Sequence, residues 1–266
     1  MKKYIAIATL LAVGSAFANA AELLWSADMT TGTYAFTMGS AWTGDAYAPQ
    51  TKWGSQTFVD GKGVQTNGDN KVSFETVNAG LPSSVEYPGI KLSDEFSLQF
   101  FVDLTSADSS ASAYLCEISE SLSWGFYLKY DANSDQFSFV AGSGTYTFTD
   151  STSNATIDSL SGIKSFTITM ENKGEADNDG RYSGLLSAYA GDTLIAQATM
   201  AAGNRHSTST VKAGLSFLNK REGSDGVAGI ISSVSLYTGI IPEPSTFGLL
   251  AGLGALALVG TRRRRK

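Results

Sequence analysis

From Phe96 onward, apolar and polar residues alternate with a period of two. Phe96, Leu98, Phe100, Val102 and Leu104 share one face, with Ser97, Gln99 and Asp103 opposite and Phe101 as the exception. Trp124, Phe126, Leu128 and Tyr130 form a second such stripe, Tyr146 and Phe148 a third, and Phe166, Ile168 and Met170 a fourth. Alternation rich in Thr, Phe and Tyr predicts half-buried antiparallel strands. Between the stripes lie turn clusters: Asp131 to Asp135, Gly142-Ser143-Gly144, Asn172 to Gly180, Gly191-Asp192 and Glu222 to Gly226. These residue types tolerate positive φ or bond their own backbone, so they punctuate strands. No stretch between Ala21 and Ile241 keeps apolar residues three and four apart over a helix length. The fold class this predicts is all-β, an antiparallel sandwich or barrel.

The predicted strands run Phe96–Leu104, Ala113–Ile118, the hairpin Trp124–Tyr130 with Gln136–Val140, Thr145–Thr149, and Ser165–Met170. A second hairpin, Gly184–Ala190 with Thr193–Met200, turns at Gly191-Asp192, and Ala213–Leu218 and Ala228–Tyr237 close the series. A two-residue loop of this kind suits tight antiparallel pairing. Three stretches carry a resemblance to the LamG-like, concanavalin A-like jelly roll: Phe96 to Val102, Ser187 to Leu194, and Ser233 to Tyr237. The stretch from Gly61 to Phe74 is similar to that family's early strands. The family's acidic closing motif is represented here by Val227-Ala228-Gly229-Ile230-Ile231-Ser232-Ser233, where Gly229 and Ile231 match and the acids do not. The resemblance implies a jelly-roll β-sandwich over residues 21–239.

Both ends read as addresses. Met1-Lys2-Lys3 precedes an apolar run from Tyr4 to Val13, and Ala18-Asn19-Ala20 is a small-residue cleavage box. This is the layout of a secretory signal peptide over residues 1–20, with cleavage after Ala20. It predicts an N-terminal signal helix, export through the Sec translocon and removal by signal peptidase. At the other end, Pro242-Glu243-Pro244 is followed by the apolar run Phe247 to Gly260 and by Arg262-Arg263-Arg264-Arg265-Lys266. Prolines forbid helix before Ser245, and Ser245 or Thr246 can cap the helix beyond. The run is short against the ~20 residues of a full span, a deficit that snorkelling arginines cover. Five cations hold that end on the cytoplasmic side.

These residues resemble the PEP-CTERM sorting signal of exported proteins in Gram-negative bacteria, taken here as residues 240–266. The resemblance implies recognition by an exosortase, a membrane-embedded transpeptidase-like cysteine protease. The C-terminal transmembrane helix would then be a transient inner-membrane anchor, with the chain delivered afterwards to the cell surface or extracellular matrix. A permanent anchor is the alternative.

Composition narrows the chemistry. The chain has 266 residues, one Cys and one His, and a formal net charge of −6. A single Cys excludes an intramolecular disulfide and Cys-based zinc clusters, and a single His excludes a three-His metal site. Residues 21–241 keep 12 of the 19 basic and 24 of the 25 acidic residues, a net charge of −12. So acidic a domain repels phosphate and is not expected to bind nucleic acid.

No catalytic residue is assigned. Cys116 alternates with Tyr114 and Ile118 and reads as core, while His206 sits in a polar loop without a neighbouring acid. Glu117 and Glu120 are three apart and face opposite ways in a strand, unlike the paired carboxylates of a glycosidase. The acids overall read as solvated. Two loops are calcium candidates, because acidic side chains alternate along them: Glu175, Asp177 and Asp179 before Gly180, and Asp131, Asn133 and Asp135. Leu186 stands where an EF-hand would place its bidentate Glu, and such turns are rich in Asp and Asn anyway. No cofactor other than Ca2+ is considered. Trp42, Tyr47 and Trp53 form an aromatic loop that either stacks on sugar rings or covers an open end of the sandwich.

The expected role is that of a non-catalytic exported protein, structural or adhesive, associated with exopolysaccharide in a biofilm. The alternatives are a carbohydrate-binding module and, further off, a polysaccharide hydrolase or lyase.

Overall fold

The computed structural model describes residues 21–40, 50–51, 57–68, 72–75, 92–107, 110–121, 124–141, 148–153, 160–205, 214–219 and 225–241. The expected signal helix, the aromatic loop, Pro242-Glu243-Pro244, the C-terminal apolar run and its basic end lie outside them. The described chain is an all-β sandwich. Its strands are β1 (Glu22–Asp28), β2 (Ala35–Met38), β3 (Gln50–Thr51), β4 (Thr57–Val59), β5 (Gly63–Asn67), β6 (Val72–Glu75), β7 (Phe96–Asp103) and β8 (Ala113–Ser121). They continue with β9 (Trp124–Asp131), β10 (Gln136–Ala141), β11 (Phe148–Ser153), β12 (Ser165–Lys173), β13 (Ser183–Ala190), β14 (Thr193–Met200), β15 (Gly214–Phe217) and β16 (Ala228–Thr238). No helix among the described residues is long and apolar enough to cross a membrane.

Period-two alternation decides the layering. In the larger sheet, ordered β11-β14-β13-β12-β7-β16-β1-β2, inward residues form an apolar row across five strands. Leu236 pairs with Leu98, Leu98 with Ile168, Ile168 with Ala188, and Ala188 with Ala196. One position away, Ser97, Thr169, Ser187 and Gln197 form a polar row on the other face. Phe101, which breaks the sequence pattern, follows the pleat outward and is 42% exposed. The smaller sheet, β10-β9-β8-β15-β6-β3, does the same with Phe139, Leu128, Cys116, Phe217 and Val72.

Aromatic rings join the layers. Phe100 on β7 lies 5.0 Å from Phe217 on β15, and Trp25 on β1 lies 5.4 Å from Phe74 on β6. All four rings are fully buried. Burial of a large side chain contributes about 1.5–3 kcal/mol, so these rings help hold the two layers together.

The predicted hairpins form. Asp131 faces Gln136 across the first turn, and Ala190 faces Thr193 across Gly191-Asp192. Gly191 takes φ 56°, the positive value a Gly-first loop of this length requires. Of the expected strand Thr145–Thr149, residues 145–147 lie outside the described residues; β11 occupies Phe148–Ser153 and pairs with β14.

Strand order carries one consequence for function. β16 is the last strand, yet it lies inside the sheet, with β7 along one side and β1 and β5 along the other. The larger sheet therefore cannot close until the chain as far as Thr238 is available. Pairing across such sequence separation is slow to form, because loop closure precedes the contacts that reward it.

Candidate functional site

β1 and β16 run antiparallel, with Glu22 opposite Thr238. The first described residue and the last strand's end therefore meet at one corner of the sandwich. A Cβ placed on Gly239 would stand 3.7 Å from the Ala21 Cα. The two segments read as addresses in the sequence join the fold at this same corner.

Beyond β16 the chain does not simply leave. Gly239 takes φ 76°, a value that side chains disfavour, and so redirects the backbone. Its N–H donates to the Glu95 carbonyl at 2.9 Å. The Ser97 hydroxyl donates to the Gly239 carbonyl at 2.9 Å and accepts from the Ile241 N–H at 2.8 Å. Ser97 faces away from the core in β7, yet it is fully buried, consistent with the strap bonded to it. One hydroxyl thus clasps residues 239–241 to the outer face of the sheet.

The clasp stands on a rigid base. Arg205, fully buried, donates from Nε to the Leu92 carbonyl at 2.9 Å, and from Nη2 to the Ser93 and Asp94 carbonyls at 2.8 and 3.0 Å. Its Nη1 donates to the Asn172 side-chain oxygen and to the Tyr182 and Ser183 carbonyls at 3.1 and 3.2 Å. The Glu95 carboxylate accepts the Asn172 N–H at 2.9 Å. Burial pulls the Arg205 pKa down, while the charges of Asp94 and Glu95 pull it back up. A guanidinium presents five donors in a fixed fork, which suits it to collecting carbonyls from three separate segments. Arg205 had no signal in the sequence, where it reads as part of a polar loop. Its neighbour His206 lies outside the described residues.

The two acidic loops are closed by protein donors. Asp177 Oδ1 accepts the N–H groups of Asp179 at 3.0 Å and Arg181 at 2.8 Å, and Oδ2 accepts Arg181 Nε at 3.0 Å. Arg181 Nη2 bonds Asp179 in turn, and Glu175 is exposed. The Arg181 backbone N–H, first, and its guanidinium hold the Asp177 carboxyl below the usual carboxylate range. In the other loop Asp131 accepts from the Asn133 N–H at 2.9 Å and from Ser112 at 3.2 Å. Asp135 accepts from the Tyr130 hydroxyl at 2.7 Å and sits at φ 51°. Burial, and then this bond to Asp135, push the Tyr130 hydroxyl up to about 12. Among the described residues, no group of three or more His, Cys, Asp or Glu is placed to hold a metal ion.

Three residues weighed for catalysis, Cys116, Glu117 and Glu120, sit in β8. Cys116 is buried, as its alternation predicts, and burial, with the neighbouring Glu117 charge, pushes its thiol well up. Glu117 corrects the expectation of solvated acids, because it is 2% exposed. It projects from the outer face of the smaller sheet, opposite Tyr127 and Ser216, and accepts a bond from Ser119 at 2.8 Å. Ser216 in turn shares a 2.9 Å bond with Ser73. Tyr114 and Tyr127 meet edge to face at 5.3 Å on the same side. The result is a polar row crossed by two tyrosines; the strand alternation placed these residues outward but did not show that the acid was buried. The side chain of Glu120 lies outside the description.

The described sandwich is similar to domain 4 of AbnA, an extracellular arabinanase of family GH43 from Geobacillus stearothermophilus, solved with arabinotriose. The TM-score is 0.49 at 12% identity, over 83% of this chain and 94% of that one. It is also similar to the Trypanosoma rangeli sialidase, at TM-score 0.45 and 10% identity, over 82% of this chain and 31% of the sialidase. The binding domain of botulinum neurotoxin DC, solved with rat synaptotagmin II, gives TM-score 0.45 and 11% identity, over 83% of this chain and 49% of that one. No curated protein matches the sequence significantly. One family model does match: the PEP-CTERM protein-sorting motif, over residues 241–265. Its first residue is Ile241, on which the Ser97 clasp ends. The motif implies an exported protein processed at the membrane, with an exosortase as the processing partner. The chain therefore carries a PEP-CTERM sorting motif that begins at the last clasped residue of an all-β sandwich.

Proposed function

We propose that this is a surface or matrix protein, non-catalytic and structural or adhesive, which associates with exopolysaccharide after an exosortase has removed its tail. The observation that carries this reading is the sorting motif beginning at Ile241, where the clasped end of the sandwich stops. In this reading residues 1–20 are a signal peptide, 21–239 a LamG-like jelly roll, and 240–266 the sorting segment with its transient membrane helix. Neither terminal segment serves the mature protein; each serves delivery of a sandwich whose acidic surface keeps it soluble outside the cell. The test is fractionation of producing cells that carry the wild-type chain or a Pro242→Ala/Pro244→Ala variant. Wild type is expected at the surface and with the extracellular polymer, and the variant in the inner membrane. Equal distribution of the two would overturn the reading.

A lectin-like module is the second reading. Tyr114 and Tyr127, flanking the Glu117 row on the smaller sheet, supply flat rings with a polar edge of the kind that sugars stack on. Trp42, Tyr47 and Trp53 would add to such a surface. Saturable binding of the processed protein to a glycan array, lost in Trp42→Ala/Trp53→Ala or in Tyr127→Ala, would favour this reading over a passive scaffold. Repeating the array with calcium and with chelator would show whether the Asp131 and Asp177 loops take part.

A further inference from the structure

Phe101 points outward from β7, and it is one of two large hydrophobic side chains left exposed among the described residues. Its neighbours across the ladder are both serines, Ser165 on β12 and Ser233 on β16. Such short side chains leave the ring standing clear of the sheet. The register of β16 shifts between Ile231 and Ser233, directly beside Phe101, and the extra residue, Ser232, donates from its hydroxyl to the Phe101 carbonyl at 3.4 Å. Bulges re-aim side chains and recur next to active sites.

Beside the ring runs an uncharged row. Thr37, Ser26, Ser235, Gln99, Thr167 and Tyr189 succeed one another across β2, β1, β16, β7, β12 and β13. None of the six is buried, whereas Ser97, Thr169 and Ser187 in the parallel row are. Five strand spacings make the accessible row about 24 Å long. Asp28, level with Phe101 two strands away, and Asp103, two residues beyond it, turn their carboxylates to their own turns. They accept the N–H of Thr30 at 2.9 Å and of Thr105 at 3.1 Å. Lys164 and Lys62 further offset the Asp103 charge.

That composition selects the partner. Ser and Thr hydroxyls and the Gln amide each donate and accept, as sugar hydroxyls do. An aromatic ring beside them supplies a flat apolar platform for the C–H face of a sugar. A protein partner fits less well, because interfaces are depleted in Ser and a single ring is no contiguous apolar patch. A polymer rich in carboxylate would meet a domain of net charge −12 and be repelled. We propose, resting on the exopolysaccharide association above, that the outer face of the larger sheet binds an uncharged polysaccharide. Phe101 is its stacking platform, Gln99, Thr167 and Ser235 orient the chain along the row, and Tyr189 closes the row with a second ring.

The experiment is affinity electrophoresis of protein recovered from the surface fraction, in native gels holding dextran, arabinan or hydroxyethylcellulose, with alginate as the anionic control. Wild type is expected to be retarded by at least one uncharged polymer and not by alginate. Phe101→Ala should weaken that binding roughly tenfold, Phe101→Tyr should keep most of it, and Tyr127→Ala should leave it unchanged. Gln99→Ala keeps the ring, should weaken binding severalfold, and serves if Phe101→Ala does not fold. The proposal is overturned by no retardation in any uncharged polymer, by retardation in alginate alone, or by equal retardation of wild type and a folded Phe101→Ala. Loss in Tyr127→Ala alone would put the site on the smaller sheet, and a wild-type dimer that Phe101→Ala disperses in gel filtration would give the face to a second copy; either result also overturns it. Should the chain never reach the surface, the sorting reading fails by itself, and the same gels run with detergent-solubilised full-length chain still decide the site.

Discussion

Two arginines organise two very different regions of this molecule. Arg205 is fully buried, and its bonds run chiefly to backbone carbonyls from segments far apart in sequence. Arg181 lies partly exposed in a turn, with bonds to Asp177 and Asp179 four and two residues away. The first ties the corner where the chain enters β7, leaves β14 and exits beyond β16. The second shapes one loop. The contrast shows that the worth of a charged side chain follows from what its loss would leave stranded, not from how many bonds it makes. Removing Arg181 returns its partners to water. Removing Arg205 leaves five backbone carbonyls without their donor, that of Leu92 in a buried setting and the other four in part-buried ones.

The largest effect expected from this comparison is in Arg205→Ala, a loss of about 3–5 kcal/mol of stability, the scale for breaking a buried charged network by removing one partner. Urea unfolding would measure it. Arg205→Lys should recover little, because an ammonium cannot reproduce the fork. A variant within 1 kcal/mol of wild type, on the order of a surface substitution, would erase the distinction between the two arginines.

A smaller effect concerns the first hairpin. The Tyr130 hydroxyl titrates higher in the folded chain, at about 12, than its ordinary value of 10.0. Its contribution is therefore fully present below the ordinary tyrosine value and is lost as pH rises from there through the folded value. Stability should fall over that alkaline window, and less steeply in Tyr130→Phe.

Smallest is Arg181→Ala, expected to cost less than about 1 kcal/mol because the pair is exposed to solvent. The first cause of the lowered Asp177 pKa is the backbone N–H of residue 181, which the substitution keeps. The carboxyl should thus stay below its ordinary range in the variant. A lowered carboxyl stabilises the fold above its unfolded value, and the contribution is lost as pH falls through the folded one. Titration followed by NMR would show whether Asp177 holds its position. Calcium at millimolar level should leave the wild-type melting temperature unchanged, since Arg181 already occupies these oxygens; a clear rise would return the loop to the calcium reading.

What the sequence disclosed was what is local. The stripes at Phe96, Trp124 and Phe166 and the Gly191 hairpin are patterns within ten residues or so, and they appear where the period of two places them. The burial of Cys116 follows from the same alternation. Ser97, Glu117 and Arg205 were not legible, because each is buried by chain distant in sequence. Ser97 reads as one more outward polar residue until the strand after it in space, β16, and the strap beyond are known. Glu117 reads as a strand-end acid because the extension of β8 to Ser121 depends on its neighbours β9 and β15. The central place of β16 is likewise a fact of strand order, on which periodicity is silent. The sorting motif was fully legible, since it is a linear string written to be read by another protein.

The sorting reading requires the tail to be a temporary address. Following newly made chains over time, in producing cells with and without their exosortase, tests it most directly. A full-length membrane form should convert to a shorter surface form only when the enzyme is present. Persistence of the full-length chain in both, or conversion in both, would contradict it.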